Sequence, residues 1–209
     1  MGETSKADIR RWAEDWFGKF VKAPGLDIGG GTDPIDPTRF TNWDYQWVTK
    51  LNSSGHYDVI NEPGDRNAQT LSGLADNSFN TVYASHILEH LEDPREALRN
   101  WWRVLSPGGH LIVCVPHRDL YEKKKTKPSR WNPHTRAGGG GHQTFWLPET
   151  DEAPDTLSFK RVLTESLSEG EFKIVDFRTV DDGYDYSLPE NVHPVGEYAI
   201  EAVILKAFR

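Results

Sequence analysis

Two groups of residues in this 209-residue chain are spaced for chemistry. The first is Leu26-Asp27-Ile28-Gly29-Gly30-Gly31-Thr32-Asp33, a short apolar run that turns at glycine. Without Cβ atoms the backbone there adopts positive φ easily and lets a ligand approach closely. The first strand-to-helix turn of an open α/β sheet also lies where such folds bind ligands. A dinucleotide site wants G-x-G-x-x-G with a helix N-terminus on the pyrophosphate. Asp33-Pro34 stands where the third glycine belongs, and a carboxylate there suits a cationic, phosphate-free ligand better, so a nicotinamide dehydrogenase is the weaker reading. The second group is His86, Glu89 and His90 at i, i+3 and i+4, one face of a helical turn, with His142 further along. Imidazole and carboxylate at that spacing can share a divalent ion, and a lone imidazole can take a proton from an acceptor hydroxyl. The plainer alternative is that these side chains only bond backbone or one another.

The elements expected to position these groups follow from periodicity and punctuation. Residues 5–22 read as one amphipathic helix, with Ile9, Trp12, Ala13, Trp16, Phe17, Phe20 and Val21 on its apolar face and Ser5 as a candidate N-cap. Packing is its expected role, and partial cover of a ligand site the lesser one. Strands are expected at Leu26 to Ile28, Phe40 to Trp43, Tyr57 to Ile60, Asn80 to Ser85 and Leu111 to Val115. Asp93-Pro94 opens a helix carrying Ala97, Leu98, Trp101, Trp102 and Leu105, and Ser106-Pro107-Gly108-Gly109 ends it. A helix near Ser158 to Ser168 precedes two closing strands, Phe172 to Thr179 and Tyr198 to Phe208. Strands alternating with helices imply a mostly parallel sheet covered on both faces.

Composition narrows the field. A chain of this length fits one α/β domain, and no apolar run reaches the ~18 residues that a membrane span needs. Its first residues lack the apolar stretch of a secretory signal, so the cytoplasm is the expected location. The single cysteine, Cys114, is expected as a buried strand thiol. The net charge of −8 argues against general affinity for nucleic acid. From His117 to His142, however, seven basic residues (Arg118, Lys123, Lys124, Lys125, Lys127, Arg130, Arg136) stand against Asp119 and Glu122, leaving +5 there and −13 elsewhere. A solvated loop and a loop for an anionic acceptor are equally good readings of that segment. His117, His134 and His142, with Tyr121, Trp131 and Trp146 among them, are spaced to hold a sugar nucleotide, a phosphorylated metabolite or an RNA end.

Gly25-Leu-Asp-Ile-Gly-Gly-Gly31 resembles the first motif of class I S-adenosylmethionine-dependent methyltransferases. The stretches AQTL, DNSFNTVYASHILEHLEDPREAL and RVLSPGGHLIVCVP, between Ala68 and Pro116, resemble the type 11 branch in order and distance. The resemblance implies a single Rossmann-like methyltransferase domain with a mostly parallel seven-stranded sheet and an antiparallel closing strand. It divides the chain into an N-terminal helix (1–23), a cofactor half (24–116), a basic, His-rich substrate loop (117–157) and closing elements (158–209). It further implies that Asp27, Gly29, Gly30 and Gly31 line the methionine moiety, that Asp44 binds the ribose hydroxyls, that Asn67 and Ala68 flank the adenine with Asp65 as competitor, and that Ser85 lies near the methyl. His86 and His142 are the candidate catalytic residues.

Gly141-His142-Gln-Thr-Phe-Trp146 resembles part of the metal-dependent small-RNA 2′-O-methyltransferases, and SHILEH resembles the ubiquinone-pathway O-methyltransferases. That similarity implies a divalent metal on His86, Glu89, His90 and His142, with His86 replacing the usual acid. The expected acceptor is a hydroxyl of a small polar molecule such as a sugar, a nucleotide-linked sugar or a natural product. An RNA 2′-O-methyltransferase and a non-catalytic S-adenosylmethionine-binding protein are the alternatives; no membrane partner is expected.

Overall fold

The computed structural model describes residues 2–133, 141–167 and 170–208. Its elements in chain order are α1 (Glu3–Ala13), α2 (Trp16–Phe20), β1 (Gly25–Ile28), β2 (Phe40–Trp43), β3 (Trp47–Leu51), β4 (Tyr57–Asn61) and β5 (Phe79–Ser85). There follow a 3₁₀ turn (Leu88–His90), α3 (Pro94–Val104), β6 (Leu105–Pro116), α4 (Arg118–Tyr121), β7 (Phe145–Leu147), β8 (Thr156–Ser158), α5 (Phe159–Ser166), β9 (Phe172–Val180) and β10 (Ala199–Lys206). The main sheet has the order β2-β1-β5-β6-β10-β9, parallel except where β10 runs antiparallel to both neighbours. The four central strands β1, β5, β6 and β10 are almost entirely buried, as a sheet covered on both faces requires. On one face, Ala97, Leu98, Trp101 and Val104 of α3 and Phe159, Val162 and Leu163 of α5 pack against Leu26, Ile28, Val82, Val113 and Val115. Asp93 caps α3, its Oδ1 accepting from the amides of Arg95 and Glu96 at 2.9 and 3.0 Å, the arrangement its side chain favours.

Three expectations are corrected. Among the described residues the main sheet has six strands, because Tyr57–Asn61 pairs antiparallel with Trp47–Leu51 in a separate hairpin. A groove of about 480 Å³ lies between that hairpin and the edge strand β2, lined by Phe40, Trp43, Val48 and Tyr57 among others. The leading helix is broken at Asp15, whose φ of 54° is left-handed, and Ser5 lies inside α1 with Gly2 at the N-cap. The face that α1 buries is also different. Ile9 and Trp12 are 84% and 69% exposed, whereas Arg10 and Arg11 are buried. Arg10 forms a two-pronged bond to Glu197 (both 2.8 Å), and both arginines reach Glu201 at 3.1 Å. Paired charges therefore dock this helix, which is how arginine enters an interior.

The stretch 117–157 also holds more structure than a loop: α4 and the small parallel sheet of β7 and β8. Its basic residues are spent locally. Arg118 pairs with Asp119 and Glu152, Lys125 with Glu152, Lys127 with Asp155 and Arg130 with Glu190, while Lys123 and Lys124 donate to carbonyls. The described basic residues of this stretch, read either as a solvated loop or as a loop for an anionic acceptor, thus have partners, with Lys125 and Lys127 still exposed; His134 and Arg136 lie outside the described residues. Cys114 is buried in β6 as expected. No helix among the described residues is long and apolar enough to cross a membrane.

Candidate functional site

The residues expected to hold a cofactor lie where β1 ends. Gly29 and Gly31 have φ of 72° and 53°, the left-handed values for which glycine has no penalty. At Gly30 space is the constraint: a Cβ would sit 2.7 Å from Asn42 Oδ1 and 2.8 Å from Asp27 Oδ2. Asp27 and Asn42 are register partners on adjacent strands, so their side chains meet beneath the turn. Asp27 Oδ2 accepts from the Ile35 amide at 2.7 Å. Among the described residues its Oδ1 and the Asn42 Oδ1 are buried without a hydrogen bond. Burial drives the Asp27 carboxyl up to about 7, against the pull of the Ile35 amide and Arg11.

A cavity of about 190 Å³ opens at this point, lined by Glu3, Thr4, Asp27, Gly29, Gly30, Asp33, Ser85 and His86. The structure therefore brings Asp27, Gly29, Gly30, Ser85 and His86 together. Gly31, Asp44, Asn67 and Ala68 do not line it. Asp44 Oδ1 accepts from the amides of Gln46 and Trp47 at 2.8 and 3.0 Å. Asn67 Oδ1 accepts from Gln69 and Thr70 at 2.8 and 3.0 Å, so it already caps a turn, and the Ala68 carbonyl accepts from Trp101 Nε1 at 2.7 Å. Asp33 does not wait for a cationic ligand either: both its oxygens accept from Ser5, one from the amide at 2.9 Å and one from the hydroxyl. That contact lays α1 across the cavity, and Glu3 and Thr4 are lining residues that sequence patterns did not reveal.

The histidines expected near an acceptor lie just beyond. His86 follows β5 with φ of 55°, a conformation that costs a non-glycine residue on the order of 1–3 kcal/mol. Its Nε2 is 3.9 Å from Glu3 Oε2 and its Nδ1 3.8 Å from Glu89 Oε1. Burial lowers the His86 imidazole to about 4, against the attraction of Glu3, so the ring is neutral near pH 7. The Gln143 and Thr144 amides donate to the Glu89 carbonyl at 2.6 and 3.2 Å, pinning residue 142 against the 3₁₀ turn. As a result one ligand atom from each of Glu89, His90 and His142 lies within 4.8 Å of the others. Both imidazole Nε2 atoms are 3.9 Å from Glu89 Oε1. His86 stands outside that group of three.

Glu89 is fully buried, and neither of its oxygens has a hydrogen bond among the described residues. Burial raises its carboxyl to about 7, against the pull of His142. His142 is 4% exposed. Its Nδ1 lies 2.7 Å from Glu122 Oε1, and the Asn132 amide nitrogen lies 3.4 Å from its Nε2. Burial works to raise Glu122, but hydrogen bonds from His142, the Arg130 amide and Ser129 prevail and hold it below the usual carboxylate range. Sequence patterns missed Glu122, which had counted only as background charge in a basic stretch.

The chain is similar to known methyltransferases. A family model described as a methyltransferase domain matches residues 52–113. An O-methyltransferase of Aspergillus sclerotiorum is 30% identical over 125 residues, covering 60% of this chain and 38% of that protein. An O-methyltransferase of Pyrenophora dematioidea is 30% identical over 127 residues, 54% of this chain and 47% of its own length. The chain thus spans less than half the length of these two curated relatives. A solved S-adenosylmethionine-dependent methyltransferase of Mesorhizobium loti superposes with a TM-score of 0.51 at 16% identity, over 86% of this chain and 89% of that one.

Proposed function

We propose that this chain, which carries a class I methyltransferase domain, transfers the methyl group of S-adenosylmethionine to a hydroxyl of a small polar acceptor such as a sugar, a nucleotide-linked sugar or a natural product. One observation carries the reading: the cavity at the glycine turn ends on Ser85 and His86, and His86 in turn abuts the buried Glu89 beside His142. A cofactor with its amine on Asp27 would direct its sulfonium methyl toward this end. Gly29, Gly30 and Ser85 would give it room, with Gly31 holding the turn. Asp44 would reach the ribose through its second oxygen, Asn67 would serve the adenine through its side-chain NH₂, since its Oδ1 caps a turn, and Ala68 through its backbone. Methyl transfer is an in-line displacement, so the protein's main work is alignment and exclusion of water. The C–S bond breaks as the O–C bond forms, and the hydroxyl proton passes to Nε2 of His142. His86, neutral and with its Nε2 3.9 Å from Glu3 Oε2, orients the acceptor.

The two uncommitted oxygens of Glu89 favour a second reading, in which Glu89, His90 and His142 hold a divalent cation. Two imidazoles and a carboxylate, with Glu122 on the remote nitrogen of His142, fit a borderline ion such as Zn²⁺ better than Mg²⁺. Such an ion would make a hydroxyl more acidic. The internal pairing of Arg118, Lys125, Lys127 and Arg130 supports a small acceptor over RNA. A labelled-methyl assay across sugar nucleotides, phenols and RNA oligomers, with and without chelator, tests both readings. Methylation of RNA alone would overturn the acceptor class, and full turnover in chelator would remove the metal. Cofactor binding without turnover on any class would leave the non-catalytic alternative.

A further inference from the structure

The hydrogen-bond partners of His142 are complementary in a way that decides where its proton sits. Nδ1 faces a carboxylate oxygen of Glu122 at 2.7 Å, and Nε2 faces the amide nitrogen of Asn132 at 3.4 Å. An ionised carboxylate only accepts, and an amide NH₂ only donates. Glu122 is itself fixed: Ser129 Oγ donates to Oε1 at 2.7 Å and the Arg130 amide to Oε2 at 2.8 Å. Tyr121 stacks on the imidazole with ring centroids 5.5 Å apart, which limits rotation of the ring out of this plane. From these contacts we infer that Glu122 is a positioning residue, which locks His142 as the Nδ1–H tautomer and keeps Nε2 the bare, accepting nitrogen, 3.4 Å from the Asn132 amide nitrogen and 3.9 Å from Glu89 Oε1.

The inference rests on the reading of His142 given above, since either proton acceptance or metal ligation needs that lone pair. It also goes beyond it, because it assigns the proton and names the group that holds it. The Arg130 amide makes the assignment testable with an almost isosteric change. A backbone N–H can only donate, so the side chain of Glu122→Gln must place its oxygen against Arg130. Its NH₂ is then presented to Nδ1 of His142. The ring must accept there, and the proton moves to Nε2. In serine-protease triads the matching carboxylate-to-amide change keeps the geometry, produces the wrong tautomer and costs about 10⁴ in kcat.

The test uses ¹⁵N-histidine-labelled full chain. The chain has eight histidines, and comparison with His142→Ala assigns the signal. Long-range ¹H–¹⁵N spectra of the unsubstituted protein are expected to show Nδ1 protonated and Nε2 bare, and the pattern should invert in Glu122→Gln. Turnover by that variant should fall about 10³-fold with the S-adenosylmethionine Kd within twofold. An Nε2–H tautomer in the unsubstituted protein overturns the inference even if the variant fails to fold. So does a variant that keeps the original tautomer. If the tautomer inverts while turnover is unchanged, the positioning stands and the role given to His142 in transfer falls.

Discussion

Asp27 and Glu89 are both buried carboxyls raised to about 7 by desolvation, yet they are held in opposite ways. Asp27 has one oxygen committed to Ile35, eight residues ahead. Its hydrogen-bond partner and the Asn42 beside it come from the following turn and the adjacent β2, while Arg11 acts on Asp27 from α1. Glu89 has no committed oxygen among the described residues, and its neighbour His142 arrives from beyond β6, attached through the Gln143 and Thr144 amides. The first site draws its hydrogen bonds from local backbone geometry, with α1 laid across it. The second is completed by long-range assembly and leaves both Glu89 oxygens without a hydrogen bond among the described residues, the condition of a site awaiting a ligand or a proton.

If that contrast is right, substitutions on the two sides should fail differently. His142→Ala should lower kcat about 10³-fold, the middle of the range for loss of a general base, while calorimetry shows S-adenosylmethionine affinity within twofold. Gly30→Val should do the reverse. Its side chain intrudes on Asn42 and Asp27 and is expected to weaken cofactor binding about 100-fold (~2.7 kcal/mol). Asp44→Ala should cost about tenfold in the same titration, and an unchanged Kd would withdraw its ribose contact. The smallest effect is on stability. Because the folded Asp27 titrates near 7, above its ordinary 3.8, the fold retains a proton that the unfolded chain releases. No penalty exists below about pH 4, where both states are protonated. Stability then falls as pH rises from about 4 to about 7. Asp27→Asn should therefore melt higher than the unsubstituted protein at pH 8, with the gap closing toward pH 4; a gap independent of pH would contradict the burial argument.

The same contrast explains what the amino-acid sequence could disclose. Asp27 to Gly31, the cap at Asp93 and the strand Leu111 to Val115 were legible because local geometry dictates them. The Tyr57 run reads as a strand, but a short apolar run does not name its partner, and here the partner is the Trp47 run across a hairpin turn. The inward face of α1 was misassigned because hydrophobic periodicity cannot see Glu197 and Glu201, which bring Arg10 and Arg11 inside. Of the acceptor side, i, i+3, i+4 spacing identified Glu89 and His90. His86, with its left-handed backbone ahead of the 3₁₀ turn, stands outside the group of three, although its Nδ1 lies 3.8 Å from Glu89 Oε1. Glu122 had no local signature at all, since its meaning comes from Arg130, Ser129 and His142 together.

The central claim is that the pocket over Asp27 and Gly30 holds S-adenosylmethionine. Isothermal titration of the full chain tests it directly. The account predicts saturable binding of S-adenosylmethionine and S-adenosylhomocysteine, no binding of NAD, and loss of the signal in Gly30→Val. Binding of NAD, or no heat with either sulfur cofactor, would contradict it.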